Sequence, residues 1–187
     1  NGRAEPRALN DLLDPEKGYR TGRMTAHGFG PDVHTPDYTL LQGDITEAYS
    51  AKVKQVMRSF VFLNLRDRRV PAALVVFDRI VSADPAFRKT WLLHAQEEPT
   101  FGLGDASVSC TRPGEGGRLN LNVLLPEAND LDLAVIGGPG REFWVFGTNY
   151  PNEPSAALRE TGSLETGAWR IEVSSKKPAA EHLFLNV

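Results

Sequence analysis

His27, Asp32, His34 and Asp37 fall within eleven residues, and neutral imidazoles with carboxylates are the donors zinc uses. A zinc site needs their lone pairs to converge at about 2.0–2.2 Å. The six residues between the two histidines match no standard ligand spacing, and Gly28, Gly30, Pro31 and Pro36 punctuate the segment. A polar surface loop is therefore expected. His94, in Thr90-Trp91-Leu92-Leu93-His94, is a conceivable general acid or base, but no carboxylate or nucleophile stands at a diagnostic spacing. A sheet-face histidine bonded to a neighbour is the plainer expectation.

Gly137-Gly138-Pro139-Gly140 invites comparison with a phosphate loop. Such a loop opens a helix and carries Lys followed by Ser or Thr, whereas here Pro139 lacks a donor and Arg141 stands in place of Lys. A turn between strands is expected. Trp91, Trp144, Trp169 and Tyr150 would form a stacking platform for sugar rings if they were exposed together, although tryptophans on strands more often fill the core. Arg66, Arg68 and Arg69 around Asp67 would suit an anionic sugar but read as a solvated hairpin tip. The single Cys110 excludes an internal disulfide and reads as a small packing residue.

The elements that must hold these groups are mostly strands. Residues 1–37 read as a loop-rich lead-in, with at most a short helical turn before Asp14-Pro15. Alternation from Val56 to Leu63 predicts a strand, as do the β-branched and aromatic runs Ala72–Ser82 and Lys89–Gln96. Leu119, Leu121, Val123 and Leu125 alternate with Asn120 and Asn122, the pattern of a half-buried strand, after a hairpin-type loop and the strand candidate Ala106–Arg112. Glu142–Thr148, Trp169–Ser175 and His182–Val187 complete the set, and only Pro154–Glu160 reads as helical. Eight to ten short strands without interleaved helices predict an all-β, antiparallel β-sandwich in a single domain, 1–187. Its expected core is Phe60, Phe62, Leu74, Val76, Phe77, Trp91, Leu93, Leu121, Val123, Val145, Phe146, Trp169 and Ile171.

Composition sets the outer bounds. Of the 187 residues 41% are hydrophobic and 24% charged, which excludes a disordered tail, a collagen-like rod and a coiled coil. The net charge of −3, from 24 acids and 21 bases, argues against nonspecific nucleic-acid binding. No apolar run approaches the ~20 residues that span a bilayer, so no membrane partner is expected.

Several long stretches go further than composition. Thr21–Val53 (TGRMTAHGFGPDVHTPDYTLLQGDITEAYSAKV), Arg58–Leu65 and Val70–Pro99 resemble the β domain of the heparinase II/III family. So do Phe143–Tyr150 (FWVFGTNY) and Gly167–Val187 (GAWRIEVSSKKPAAEHLFLNV), in the same order. The resemblance implies a secreted or periplasmic bacterial polysaccharide lyase in which an α/α toroid is joined to β-sandwich domains. It implies β-elimination on heparin or heparan sulfate, with a Tyr/His pair acting on the uronic acid and a zinc held by two His and an Asp.

None of that machinery maps onto this chain. It has no His-X-His, and His27, His34, His94 and His182 are isolated from one another. No catalytic, cofactor-binding or metal residue is therefore assigned, and no zinc is expected in the piece itself. The chain is expected to be the later part of the central β domain, supersandwich-like and incomplete at both ends. It would serve as scaffold and cleft wall, inactive alone, with the toroid and remaining strands as its missing partners. Its unpaired edges would then favour aggregation or a homodimer. The alternatives are a noncatalytic carbohydrate-binding sandwich and a structural interdomain module.

Overall fold

In the computed structural model, residues 22–101, 107–111, 118–150 and 167–187 are described, together with positions 10, 14, 16 and 19. The fold is all-β and antiparallel, of the sandwich class, with sheets that do not close into a barrel. The chain divides into two compact units, residues 1–89 with 177–187, and residues 90–176.

The first unit is built on β1 (Arg23–Gly30), β2 (Tyr38–Asp44), β3 (Val53–Asn64) and β4 (Ala72–Ser82), joined by the last strand, β13 (Glu181–Asn186). Each pairs antiparallel with the next in the order β1-β2-β3-β4-β13. Residues directly opposite one another share a face. Leu41 opposite Phe60, Phe60 opposite Val76 and Val76 opposite Asn186 therefore run across one side. Val56, Val76, Asp78, Phe184 and Asn186 are buried there. Farther along the same face Phe60, Phe62 and Leu74 are 37–46% exposed, against the expectation that they would be core. Alternation reports which residues share a face, not how far along a strand that face is covered.

Arg23–Gly30 also differs from the loop-rich lead-in expected over 1–37. It is a full strand that ends the sheet order among the described residues and carries Gly28 and Gly30. Gly30 lies beside Tyr38, and a Cβ there would only reach ordinary contact, 3.4 Å, with the Tyr38 hydroxyl. The turn that follows is held by Asp37 N–H donating to Gly30 O at 2.7 Å.

The second unit holds β5 (Thr90–Ala95), β6 (Thr100–Phe101), β7 (Ser107–Thr111), β8 (Arg118–Leu125), β9 (Leu131–Gly137), β10 (Trp144–Val145), β11 (Thr148–Asn149) and β12 (Trp169–Ser175). One antiparallel sheet has the order β5-β12-β9, a ladder joins β6-β7-β8, and β10-β11 form a hairpin. In the three-stranded sheet, Trp91 lies opposite Val173 and Leu93 opposite Ile171, while Ile171 also faces Val135. Trp91, Ile171 and Val173 are buried, as are Leu121 and Val123 on β8, so this half of the expected core is observed. Period-2 patterning of Leu131, Leu133 and Val135 is what makes β9, a strand the sequence reading did not single out.

The expected strand Glu142–Thr148 is instead the short β10–β11 hairpin. Phe146 and Gly147 both take positive φ, 46° and 88°, and reverse the chain there. Val145 and Phe146 are consequently exposed rather than core. Pro154–Glu160 and the loop between β7 and β8 lie outside the described residues.

Candidate functional site

The outer face of the β5-β12-β9 sheet gathers the side chains best suited to binding. Strand alternation turns Trp169, Ile171 and Val173 inward and leaves Arg170 and Glu172 on the other side. Arg170 sits directly between His94 on β5 and Ile136 on β9, and Glu172 between Leu92 and Ala134. Arg170 Nε donates to Glu172 Oε1 at 2.9 Å, and its Nη2 reaches the same oxygen at 2.7 Å. Nη2 also donates to the carbonyl of Trp144 at 2.9 Å, which fastens the β10–β11 hairpin to this sheet. With these partners Arg170 is a positioning group rather than a free cation.

The hairpin adds what Arg170 lacks. The Arg141 guanidinium lies over the Trp144 ring, 5.2 Å from its centroid, and the residue is exposed. A guanidinium held on an aromatic face keeps its N–H fork available for a carboxylate or sulfate. Glu142 accepts from Gly140 N–H at 3.0 Å and from the Asn149 amide at 3.2 Å. Its own backbone N–H and that of Gly140 hold its carboxyl below the usual carboxylate range, so it stays charged as a brace. Asn149 Oδ1 in turn accepts Phe143 N–H at 2.8 Å.

The four aromatics weighed as a platform do not assemble into one. Trp91 is core, and Trp169 packs over the glycine turn, where a Cβ on Gly138 would meet its ring at 3.0 Å. Trp144 pairs with Asn149, while Tyr150 N–H bonds Phe143 O one position on, so the pleat sends Trp144 and Tyr150 to opposite sides of the hairpin.

His94 is exposed on the outer face, and Gly167 backs it closely, a Cβ there falling 3.1 Å from His94 Cβ. The remaining histidines are dispersed: His27 on β1, His34 in the following turn and His182 on β13, where Nε2 meets Lys177 O at 2.9 Å. Asp32 accepts Thr35 N–H at 2.9 Å and His34 N–H at 2.7 Å, and these bonds hold its carboxyl low. Asp37 pairs with Arg66 at 2.6 Å. His27, Asp32, His34 and Asp37 thus serve an edge strand and its turn. Among the described residues no group of three or more His, Cys, Asp or Glu is placed to hold a metal.

Gly137-Gly138-Pro139-Gly140 closes β9 in a turn, with Arg141 N–H bonding Gly138 O at 2.8 Å. Arg66, Asp67, Arg68 and Arg69 form the exposed β3–β4 connection, where Asp67 accepts Val70 and Arg69 N–H groups. Cys110 lies on β7 opposite Leu119.

The first unit has an open cleft of about 470 Å³ beside the start of β1, lined by Arg23, Asp44, Glu47, Lys54 and Gln55. Its charges balance. Asp44 is braced by the Thr46 hydroxyl at 2.6 Å and the Thr46 N–H at 3.1 Å, which lower its pKa.

The sequence reading assigned no site residue: Arg170 and Glu172 were not singled out, and Arg141 was weighed only against the Lys of a phosphate loop. Alternation within Trp169–Ser175 was the available signal for the first two. No protein-family model matches the chain, and no curated protein matches it.

Proposed function

We propose that this chain is the β-domain portion of a bacterial, secreted or periplasmic polysaccharide lyase of the heparinase II/III type. In that role it is scaffold and cleft wall for a uronic-acid polysaccharide of the heparin or heparan sulfate class. The collinear resemblance from Thr21 to Val187 motivates the reading, and an all-β antiparallel fold is compatible with it. The observation that carries it is the outer face of β5-β12-β9, where Arg170 anchors a hairpin that presents Arg141 stacked on Trp144.

β-Elimination asks three things of its protein. A base removes the C5 proton, an acid meets the departing C4 oxygen, and a cation or strong donor neutralises the sugar carboxylate while a C4–C5 double bond forms. Arg141 is chemically fit for the third task, or for holding the chain beside it. The first two are left to the parent's other parts, as is any zinc.

The test is retention of the purified chain on immobilised heparin against dextran, with Arg141→Ala alongside. Selective retention, lost in the variant and falling with salt, supports the reading. Equal behaviour on the two matrices refutes it. Ultraviolet absorbance of unsaturated uronate, absent for this chain and present for the parent, tests the enzymatic half.

A further inference from the structure

Phe146 combines two costs at one position. The β10–β11 loop has two residues, both at positive φ, the primed turn whose twist suits a hairpin and whose preferred sequence is Asn-Gly. Phenylalanine in the left-handed region brings its Cβ against backbone oxygen, a clash asparagine tolerates and glycine avoids. The ring is also fully exposed, at 104%. Among the described residues no burial offsets either cost.

The base beneath it is secured. Arg170 holds the Trp144 carbonyl at 2.9 Å, Asn149 bridges Phe143 N–H and Glu142, and Tyr150 N–H bonds Phe143 O at 3.1 Å. Strain without an internal return, displayed on a pinned support, is characteristic of binding and catalytic positions.

We infer that Phe146 is a polysaccharide-contacting side chain, displayed to lie against the carbon–hydrogen face of a sugar ring in an acidic chain. This rests on the proposed reading of the site. The neighbouring chemistry fits that ligand: in the same hairpin Arg141, stacked on Trp144, supplies a cation for a carboxylate or sulfate. An anionic membrane fits less well, because among the described residues no polybasic cluster accompanies the ring.

The experiment compares the full chain with Phe146→Asn and Phe146→Gly by thermal melting and by titration with heparan sulfate oligosaccharides. Relief of the left-handed strain should raise the melting temperature by about 2–4 °C. Loss of the ring should weaken oligosaccharide binding about tenfold. The higher melting temperature certifies that the variant is folded, so a binding loss cannot be assigned to unfolding. Unchanged oligosaccharide affinity in Phe146→Asn overturns the inference while leaving the proposed reading standing. Loss of vesicle binding or of self-association, with sugar affinity intact, overturns it too. A wild-type chain that binds no acidic oligosaccharide overturns both.

Discussion

Arg58 and Asp78 face each other across β3 and β4, and removing Arg58 should be among the most damaging single changes in the first unit. The pair is bidentate, Nε to Oδ1 at 2.7 Å and Nη2 to Oδ2 at 2.6 Å. The two ends differ sharply in solvent access: the Arg58 side chain is 34% exposed and that of Asp78 only 1%. Arg58→Met therefore strands a carboxylate that water cannot reach, for which a loss of about 3–5 kcal/mol is expected. Asp78→Asn leaves a guanidinium that can still hydrate and that lies 5.8 Å from the Phe60 ring centroid. Its cost should be smaller, about 1.5–3 kcal/mol, the worth of a charged hydrogen bond. The double variant Arg58→Met, Asp78→Asn leaves a neutral amide in place of the stranded carboxylate and should recover much of the Arg58→Met loss. Urea unfolding followed by far-ultraviolet circular dichroism, which reads the strands of the first unit directly, measures all four corners of this cycle, and Arg58→Met should lower the melting temperature by roughly 6–20 °C. A cost below about 1 kcal/mol for Arg58→Met, or simple additivity in the double variant, would refute the reasoning.

Gly138 and Gly140 share φ near +79°, but only at Gly138 would a Cβ press on the Trp169 ring. Both alanine variants should lose about 1–2 kcal/mol for the left-handed backbone, and Gly138→Ala about 1 kcal/mol or more beyond that, read from denaturation midpoints. Asn186 is buried with neither end of its amide bonded, so Asn186→Val should gain about 1–2 kcal/mol; a loss would mean the amide has a partner. On acidification, Asp32, Asp44, Asp67, Glu142 and Glu181 have folded pKa values below their ordinary ones. Their contribution to stability is complete above the ordinary values of about 4 and is lost as pH falls through the depressed folded values. Calorimetric melting temperatures should thus decline below about pH 4, and a flat profile would contradict the assignment.

Strand identity was readable wherever one face was consistently apolar. Arg118–Leu125 shows this, with Leu121 and Val123 buried between exposed Asn120 and Asn122. β3 was readable as a strand but not as a surface. Val56, Arg58, Phe60 and Phe62 alternate with Met57, Ser59, Val61 and Leu63, so both faces carry apolar groups and periodicity alone selects neither. Register then decides the outcome, because Arg58 is fixed by Asp78 of β4, whose own burial comes from its place beside Phe184 of β13. Those partners are chosen by pairing across long sequence separations, which no local window contains.

The candidate site was hidden for the same reason in a stronger form. Arg170, His94 and Ile136 become neighbours only through the order β5-β12-β9, in which the latest strand in sequence lies between two earlier ones. Each residue alone is unremarkable: a strand arginine, an exposed histidine, an isoleucine. The hairpin differs, since Phe146-Gly147 is itself a local turn signal between two extended dipeptides. A single strand over Glu142–Thr148 overlooks the glycine, and with it the turn that sends the Phe146 ring wholly into solvent. Phe146 violates turn preference and burial preference together, and nothing among the described residues offsets either. On the proposed reading its role is contact with what approaches from outside, and Phe146 rather than the better-satisfied Arg170 is the side chain on which that contact chiefly depends.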